Sequence, residues 1–331
     1  MSSLADESAL LLELDGLAAA GRYQALLDRL GQLPAAAVAG RTRIALLAAE
    51  AQGRLGRYAE AERWAATARD LARSRGERHA ELRALNFQAA IALNRGDLEE
   101  AERHFSTALE MAGMLRDAAG EARCFNNLGI IAFLRGDPNV ALAAYQPALA
   151  AYQRAGMLRG MAQTHHNIGI SRRELGDYRG ALEAADQAVR LARQVQDDSL
   201  VGLALAGRAE IHLAMGDAAL ADAELRGAEQ AYERVQFSAG LPEVWRLQAG
   251  AARARGDLAG AVRRLERAAE LAAKQGSAEV LSATERDLGH ALAATGDHTG
   301  ARAAWQRAIA IYRRLGARKA VDALAALLGP T

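Results

Sequence analysis

The chain has 331 residues, 51% of them apolar but only 5% aromatic, and 41 Lys and Arg against 40 Asp and Glu leave a formal charge of +1. So even a balance provides no global field to gather nucleic acid or an anionic membrane surface, and the single cysteine, Cys124, excludes an intramolecular disulfide framework. The apolar excess is Ala and Leu, good helix formers and poor strand formers, so composition predicts an all-α fold.

The chain opens with MSSLADESALLLELDGLAAAG, which lacks a basic start and carries acids through its apolar stretch, unlike a secretory signal. No run approaches the roughly 20 apolar residues of a membrane span, so a cytoplasmic location without membrane partners is expected. Two loose turn signals follow, Gly21-Arg22-Tyr23 and Gly56-Arg57-Tyr58. From there a Gly-Asp pair recurs every 40 residues, at Gly96, Gly136, Gly176, Gly216, Gly256 and Gly296, each Asp followed four residues later by Ala. Such a period marks stacked repeats, each burying its apolar face against its neighbours.

The unit over residues 121–156 shows the grammar. Ala122, Phe125, Leu128, Gly129, Ala132 and Phe133 recur at helical spacing and predict one buried face. Gly136 supplies a left-handed end, Asp137 is placed to cap the next helix, and Pro138 falls at its first position, where no amide hydrogen is needed. A second face follows at Ala141, Leu142, Tyr145, Ala148 and Tyr152, and Pro147 inside it predicts a kink. The second turn has Gly76, Gly156, Gly276 and Gly316 in four units, but Arg116, Gln196 and Gln236 in three others. Small residues such as Gly129, Gly169 and Gly289 admit close helix approach, with Phe105, Tyr145 and Trp305 filling the gaps and Ala185 leaving one unit lighter. Eight helix pairs are expected: looser repeats over about 5–76, regular ones over about 77–316, and a terminal helix over about 317–328, all in one domain spanning 1–331. Gly240-Leu241-Pro242 marks an irregular junction.

The pattern resembles the tetratricopeptide repeat (TPR). Leu128-Gly129, Ile168-Gly169 and Leu288-Gly289 match its Leu-Gly pair, Trp245 its Trp, and Ala101-x3-Phe105, Ala141-x3-Tyr145 and Ala301-x3-Trp305 its second half. The type repeat has about 34 residues and HEAT or armadillo units roughly 40–47, but the internal motif favours the former with lengthened helices. Units of 40 residues look like the TPR arrays of the LGN/Pins, MalT-like and Rap-type groups. The resemblance implies a right-handed α-solenoid or superhelix of about eight TPR helix pairs plus a C-terminal capping helix, with first helices lining a concave groove.

Counting back from each turn glycine locates the groove-facing residues. In repeats three to five this yields a polar cluster of Arg83, Asn86, Asn94, Arg123, Asn126, Asn127, His166, Asn167 and Arg173. Asn both donates and accepts, so a ladder of them suits an extended peptide backbone, and Arg suits its acidic side chains. The same residue types also suit a merely solvated face. A chaperone-tail carboxylate clamp is disfavoured, because six before the glycines stand Ala90, Ile130, Ile170, Glu210 and Gly250 where its second Asn belongs.

No His-Glu-x-x-His, Cys-x-x-Cys or phosphate-loop spacing exists, and His165 and His166 project differently from a helix, so no metal, nucleotide or other cofactor is expected. Cys124 is read as a small buried hydrophobe and not as a nucleophile. The sequence thus predicts a non-enzymatic scaffold or adaptor binding a protein or extended peptide in its groove. The alternatives are a peptide- or metabolite-responsive sensor acting on a separate effector chain, and self-assembly through end helices bearing Ala320, Val321, Leu324, Leu327 and Leu328.

Overall fold

The computed structural model describes residues 4–19, 21–33 and 40–328. Among these the chain forms seventeen α-helices and no strand. In order they are α1 (Leu4–Ala19), α2 (Tyr23–Gly31), α3 (Thr42–Arg54), α4 (Tyr58–Arg75), α5 (Arg78–Asn94), α6 (Leu98–Leu115), α7 (Ala118–Leu134), α8 (Pro138–Arg154), α9 (Leu158–Glu174), α10 (Tyr178–Gln194), α11 (Asp198–Ala214), α12 (Ala218–Arg234), α13 (Leu241–Ala254), α14 (Leu258–Gln275), α15 (Ala278–Ala294), α16 (His298–Arg314) and α17 (Arg318–Leu328). They pair in sequence as α1/α2 through α15/α16, and α17 stands as a terminal helix. The architecture is the expected α-solenoid of eight helix pairs. A short 3-10 turn, Ser238–Gly240, leads into α13 at the irregular junction, with Pro242 in the first turn.

The periodic turn works by local chemistry. Each Gly-Asp glycine has a positive φ, from 76° at Gly176 to 88° at Gly136 and Gly296, and its amide closes the helix behind it. At Gly136, its N–H donates to the Phe133 carbonyl at 2.9 Å and the Asp137 N–H to that of Ala132 at 3.0 Å. The aspartate then opens the next helix. Asp97, Asp177, Asp217, Asp257 and Asp297 each accept from the backbone amide three residues on, at 2.8–3.1 Å. Asp137 does not, contrary to the expectation for that unit. Pro138 follows it, and the proline ring restricts the preceding residue, which sits at φ −110° where the five capping aspartates of the other Gly-Asp turns lie between −78° and −88°. Helix α8 itself runs unbroken through Pro147.

The second turn makes the same bonds with or without glycine. Arg116, Gln196 and Gln236 adopt φ of 54°, 53° and 52°, and they are the non-glycine positive-φ residues of the described chain. Asp117 N–H still reaches the Ala112 carbonyl at 2.9 Å. A left-handed backbone costs a side-chain-bearing residue roughly 1–2 kcal/mol, so these three turns hold local strain that the packing of flanking helices overrides.

Contacts divide the chain into two compact units, Met1–Gly160 and Met161–Thr331. In the first, Leu14, Leu26, Ile44 and Leu47 form one core, and Leu82, Leu85, Phe105 and Ile131 another. In the second, Leu200, Leu205, Leu225 and Val244 form the largest core, while Trp305, Ile309 and Leu324 seat α17 on α16. At five glycines among the described residues a Tyr or Trp ring lies against the backbone. A Cβ on Gly129 would stand 2.7 Å from Cδ1 of Tyr145, and one on Gly289 2.9 Å from Cε2 of Trp305. Tyr152 covers Gly160 likewise, and Tyr232 covers both Gly202 and Gly240. At each of these glycines a ring lies against the backbone, the close approach expected for Gly129 and Gly289; Gly160, Gly202 and Gly240 were not among the expected positions.

Candidate functional site

The first unit carries a pocket of about 400 Å³ on its first helices. Glu50 of α3, Arg83, Asn86, Phe87 and Ala90 of α5, and Arg123 and Asn127 of α7 surround it, with Phe105 of α6 beneath. The repeat explains the convergence: Arg83 and Arg123 are equivalent residues one period apart, so stacked helices present them side by side.

Charge in this pocket is unbalanced. Arg43, the equivalent residue on α3, pairs with Asp15 at 2.5 Å, but among the described residues neither Arg83 nor Arg123 lies within ion-pair distance of a carboxylate. Burial holds the Arg83 guanidinium below the usual arginine range, with Arg43 and Arg123 pushing the same way and Glu50 and Asp15 opposing. Amide chemistry is also incomplete. Asn86 Oδ1 accepts from the Cys124 thiol at 3.3 Å, while its Nδ2 is buried without a partner. An unpaired buried donor is costly, on the order of 1–3 kcal/mol, unless a ligand meets it. Burial raises the Cys124 thiol to about 12, so it stays protonated and inert.

Four of the nine residues selected from sequence therefore share one pocket: Arg83, Asn86, Arg123 and Asn127. Asn94 is exposed at the last position of α5, away from them, and Asn126 is only 8% exposed, turned into the packing beside Asn127. His166, Asn167 and Arg173 belong to the second unit, on α9. There His166 packs against α11, where a Cβ on Gly207 would sit 2.6 Å from its Nδ1. Burial and the neighbouring Arg173 push its pKa down to about 4. Arg173 itself bonds Glu210 of α11. Sequence reading missed Glu50 and the apolar lining of Phe87, Ala90 and Phe105. Glu50 lies six before Gly56, in register with Ala90, Ile130 and Ile170, so the signal that could have found it is a charge at a place that is apolar in the next three repeats.

The second unit has its own pocket of about 290 Å³, with Leu213, Arg246, Arg253, Asp287 and His290 in its wall. Its charges are largely internally matched. Arg246 donates to Glu243 at 2.5 and 3.0 Å and to Asp287 at 2.8 Å, and Arg286 donates to the other Asp287 oxygen at 2.9 Å. Although burial opposes it, these bonds hold Arg246 above the usual arginine range. His290 is shifted down by burial and lies edge-on to Trp305 at 5.4 Å. Among the described residues no group of three His, Cys, Asp or Glu side chains is placed to hold a metal ion, and no helix is long and apolar enough to cross a membrane.

Family models described as tetratricopeptide repeat match residues 41–113, 81–154 and 286–315. No curated protein matches the chain by sequence. Among solved structures, a Rap protein complexed with competence and sporulation factor is similar at 13% identity and a TM-score of 0.63, over 98% of this chain and 96% of that one. A signal-transduction ATPase with a tetratricopeptide repeat sensor from Pyrococcus horikoshii is similar at 12% identity and a TM-score of 0.63, over 91% of this chain and 46% of that one. Aspartyl phosphate phosphatase F from Bacillus subtilis shares 13% identity at a TM-score of 0.57, over 98% and 93%. At these identities the likeness is one of fold.

Proposed function

We propose, from the premise that this chain is a tetratricopeptide-repeat protein resembling Rap-type arrays, that it is a non-enzymatic scaffold that binds a protein or extended peptide on its first-helix face. The observation carrying the reading is the pocket of the first unit, where two arginines without acidic partners and two asparagines stand on consecutive first helices. Unmet guanidiniums and an unmet amide are what a binding surface shows before its partner arrives. The one thiol is buried, protonated and committed to Asn86, which is why the reading is non-catalytic. A cytoplasmic location, an acidic partner, and one domain over 1–331 belong to the same proposal.

The test is a selection of random 12-residue peptides on the immobilised full chain, followed by titration of the enriched peptides. Binding that falls about tenfold or more in Asn127→Ala, with helicity kept, supports the reading. Enriched peptides indifferent to Asn127→Ala and Arg123→Gln refute it.

A regulatory sensor acting on a separate effector chain is the second reading. It is favoured by likeness over nearly the full length of a Rap protein that was crystallised with a factor, and by likeness to a protein containing a repeat sensor. Solution scattering of the chain with a selected peptide separates the two: a sensor changes its radius of gyration on binding, and a rigid scaffold does not.

A further inference from the structure

The first-unit pocket has a chemistry more specific than peptide binding in general. Its charged lining is two guanidiniums against one carboxylate, leaving one positive charge in excess. That excess suits a monoanion; a dianion would be repelled by Glu50 once the two arginines were matched. Apart from Asn86 and Asn127 the uncharged lining is apolar, with Phe87, Ala90 and the fully buried Phe105 next to the charged rim. A volume of about 400 Å³ lies toward the small end for ligand pockets, the scale of a single large side chain with its neighbouring groups.

Cys124 adds directionality. An amide side chain has one accepting and one donating end, and a neutral pocket asparagine ordinarily presents either. Here the S–H of Cys124 donates to Asn86 Oδ1 at 3.3 Å, so the oxygen is occupied and Nδ2, buried and unpartnered, is left to donate. The thiol does not ionise at neutral pH, so this orientation persists. The side-chain groups that Arg83, Arg123 and Asn86 leave without partners are then all donors.

We propose that this pocket is a monocarboxylate site with an adjoining apolar slot: Arg83 and Arg123 hold the carboxylate, Asn86 Nδ2 donates to one of its oxygens, and Cys124 is the positioning residue that fixes the Asn86 amide. The carboxylate belongs either to an acidic residue of a peptide or to a small free acid, since the pocket's chemistry is shared by both. The assignment rests on the groove reading for its peptide source and on the pocket alone for the small acid.

The experiment uses the full chain and four probes followed by calorimetry and by arginine side-chain NMR: phenylacetate, phenylacetamide, acetyl-Leu-Asp-Leu-amide and acetyl-Leu-Asn-Leu-amide. The expected result is that at least one carboxylate binds about tenfold or more tighter than its amide, and that Arg83→Gln and Arg123→Gln each remove most of the difference, whereas Arg253→Gln in the second unit leaves it unchanged. Cys124→Ala should lower the carboxylate-to-amide ratio while Cys124→Ser, which retains a donor, restores it; a purely structural thiol would alter both ligands alike. Binding of phenylacetate without either peptide upholds the carboxylate site and removes the peptide reading. Equal binding of the Asp and Asn peptides, sensitive to Asn127→Ala, upholds the peptide reading and overturns the carboxylate site. Tighter binding of inorganic phosphate than of phenylacetate, or no binding by any probe, also overturns it.

Discussion

The Leu-Gly position of the repeat offers one substitution with opposite outcomes in different repeats. Gly129, Gly169 and Gly289 occupy equivalent places in α7, α9 and α15, and in each case alanine gains about 1 kcal/mol of helix propensity over glycine. The difference lies across the interface. In α10 the residue facing Gly169 is Ala185, and a new Cβ would find the Ala181 carbonyl oxygen at 3.4 Å, the Ala185 nitrogen at 3.8 Å and Ile211 Cδ1 at 3.9 Å, which is ordinary contact. Gly169→Ala should therefore stabilise by roughly 0.5–1 kcal/mol. In Gly129→Ala the Cβ drives into the ring of Tyr145, which is 1% exposed and has no room to withdraw. Overpacking costs about 1–3 kcal/mol, which outweighs the propensity gain and leaves a net loss on the order of 1 kcal/mol. Gly289→Ala, against Trp305, should behave like Gly129→Ala. Because repeat arrays need not unfold in one step, the assay is native-state hydrogen exchange read at each mutated helix pair, alongside urea titration of the whole chain. Three changes of the same sign would refute the account, since propensity alone or crowding alone would then dominate at all three sites.

Three further outcomes are expected. Replacing Arg116, Gln196 and Gln236 with glycine should stabilise by about 0.5–1 kcal/mol per site once the greater freedom of glycine in the unfolded chain is subtracted, seen as higher urea midpoints for each single variant. Asp217→Ala should cost about 1 kcal/mol because its carboxylate accepts from Leu220 N–H, whereas Asp137→Ala, with no such bond, should be nearly silent in the same titration. Acid should act through His166: its folded pKa of about 4 lies below the unfolded value near 6.5, so the unfolded chain binds more protons between those limits and stability falls as pH drops through them. That loss is at most about 3 kcal/mol, His165 and His290 add to it in the same direction, and a His166→Asn chain whose pH profile matched the parent would disprove it.

The helix ends at the Gly-Asp turns were the most legible feature of the sequence, because they are written by local residues: a glycine that accepts positive φ and an aspartate placed to cap. Asp137 departed from the pattern for a reason also local, the proline after it. The shared pocket of four polar residues was legible as register. Counting back from the glycines placed Arg83, Asn86, Arg123 and Asn127, which do share a pocket, but adjacent helix residues point about 100° apart, so Asn126 turned inward where Asn127 did not. Pairings across repeats were illegible. Arg173 finds Glu210, and Cys124 finds Asn86, at separations of 37 and 38 residues, and whether a neighbouring repeat supplies a partner depends on side-chain reach across an interface that periodicity alone does not encode.

The rings that rest on glycine impose a longer rhythm on the chain than its turns do. Tyr152 with Gly160 and Tyr232 with Gly240 stand 80 residues apart, while the intervening positions are Ala192 with Leu200, a small residue beneath a large one. Large and small have exchanged sides of the joint. A single repeat moved by recombination would carry its tyrosine or alanine to a neighbour shaped for the other, giving a clash at one seam and a void at the next. Over this stretch the packing module is a doublet of repeats with complementary joints.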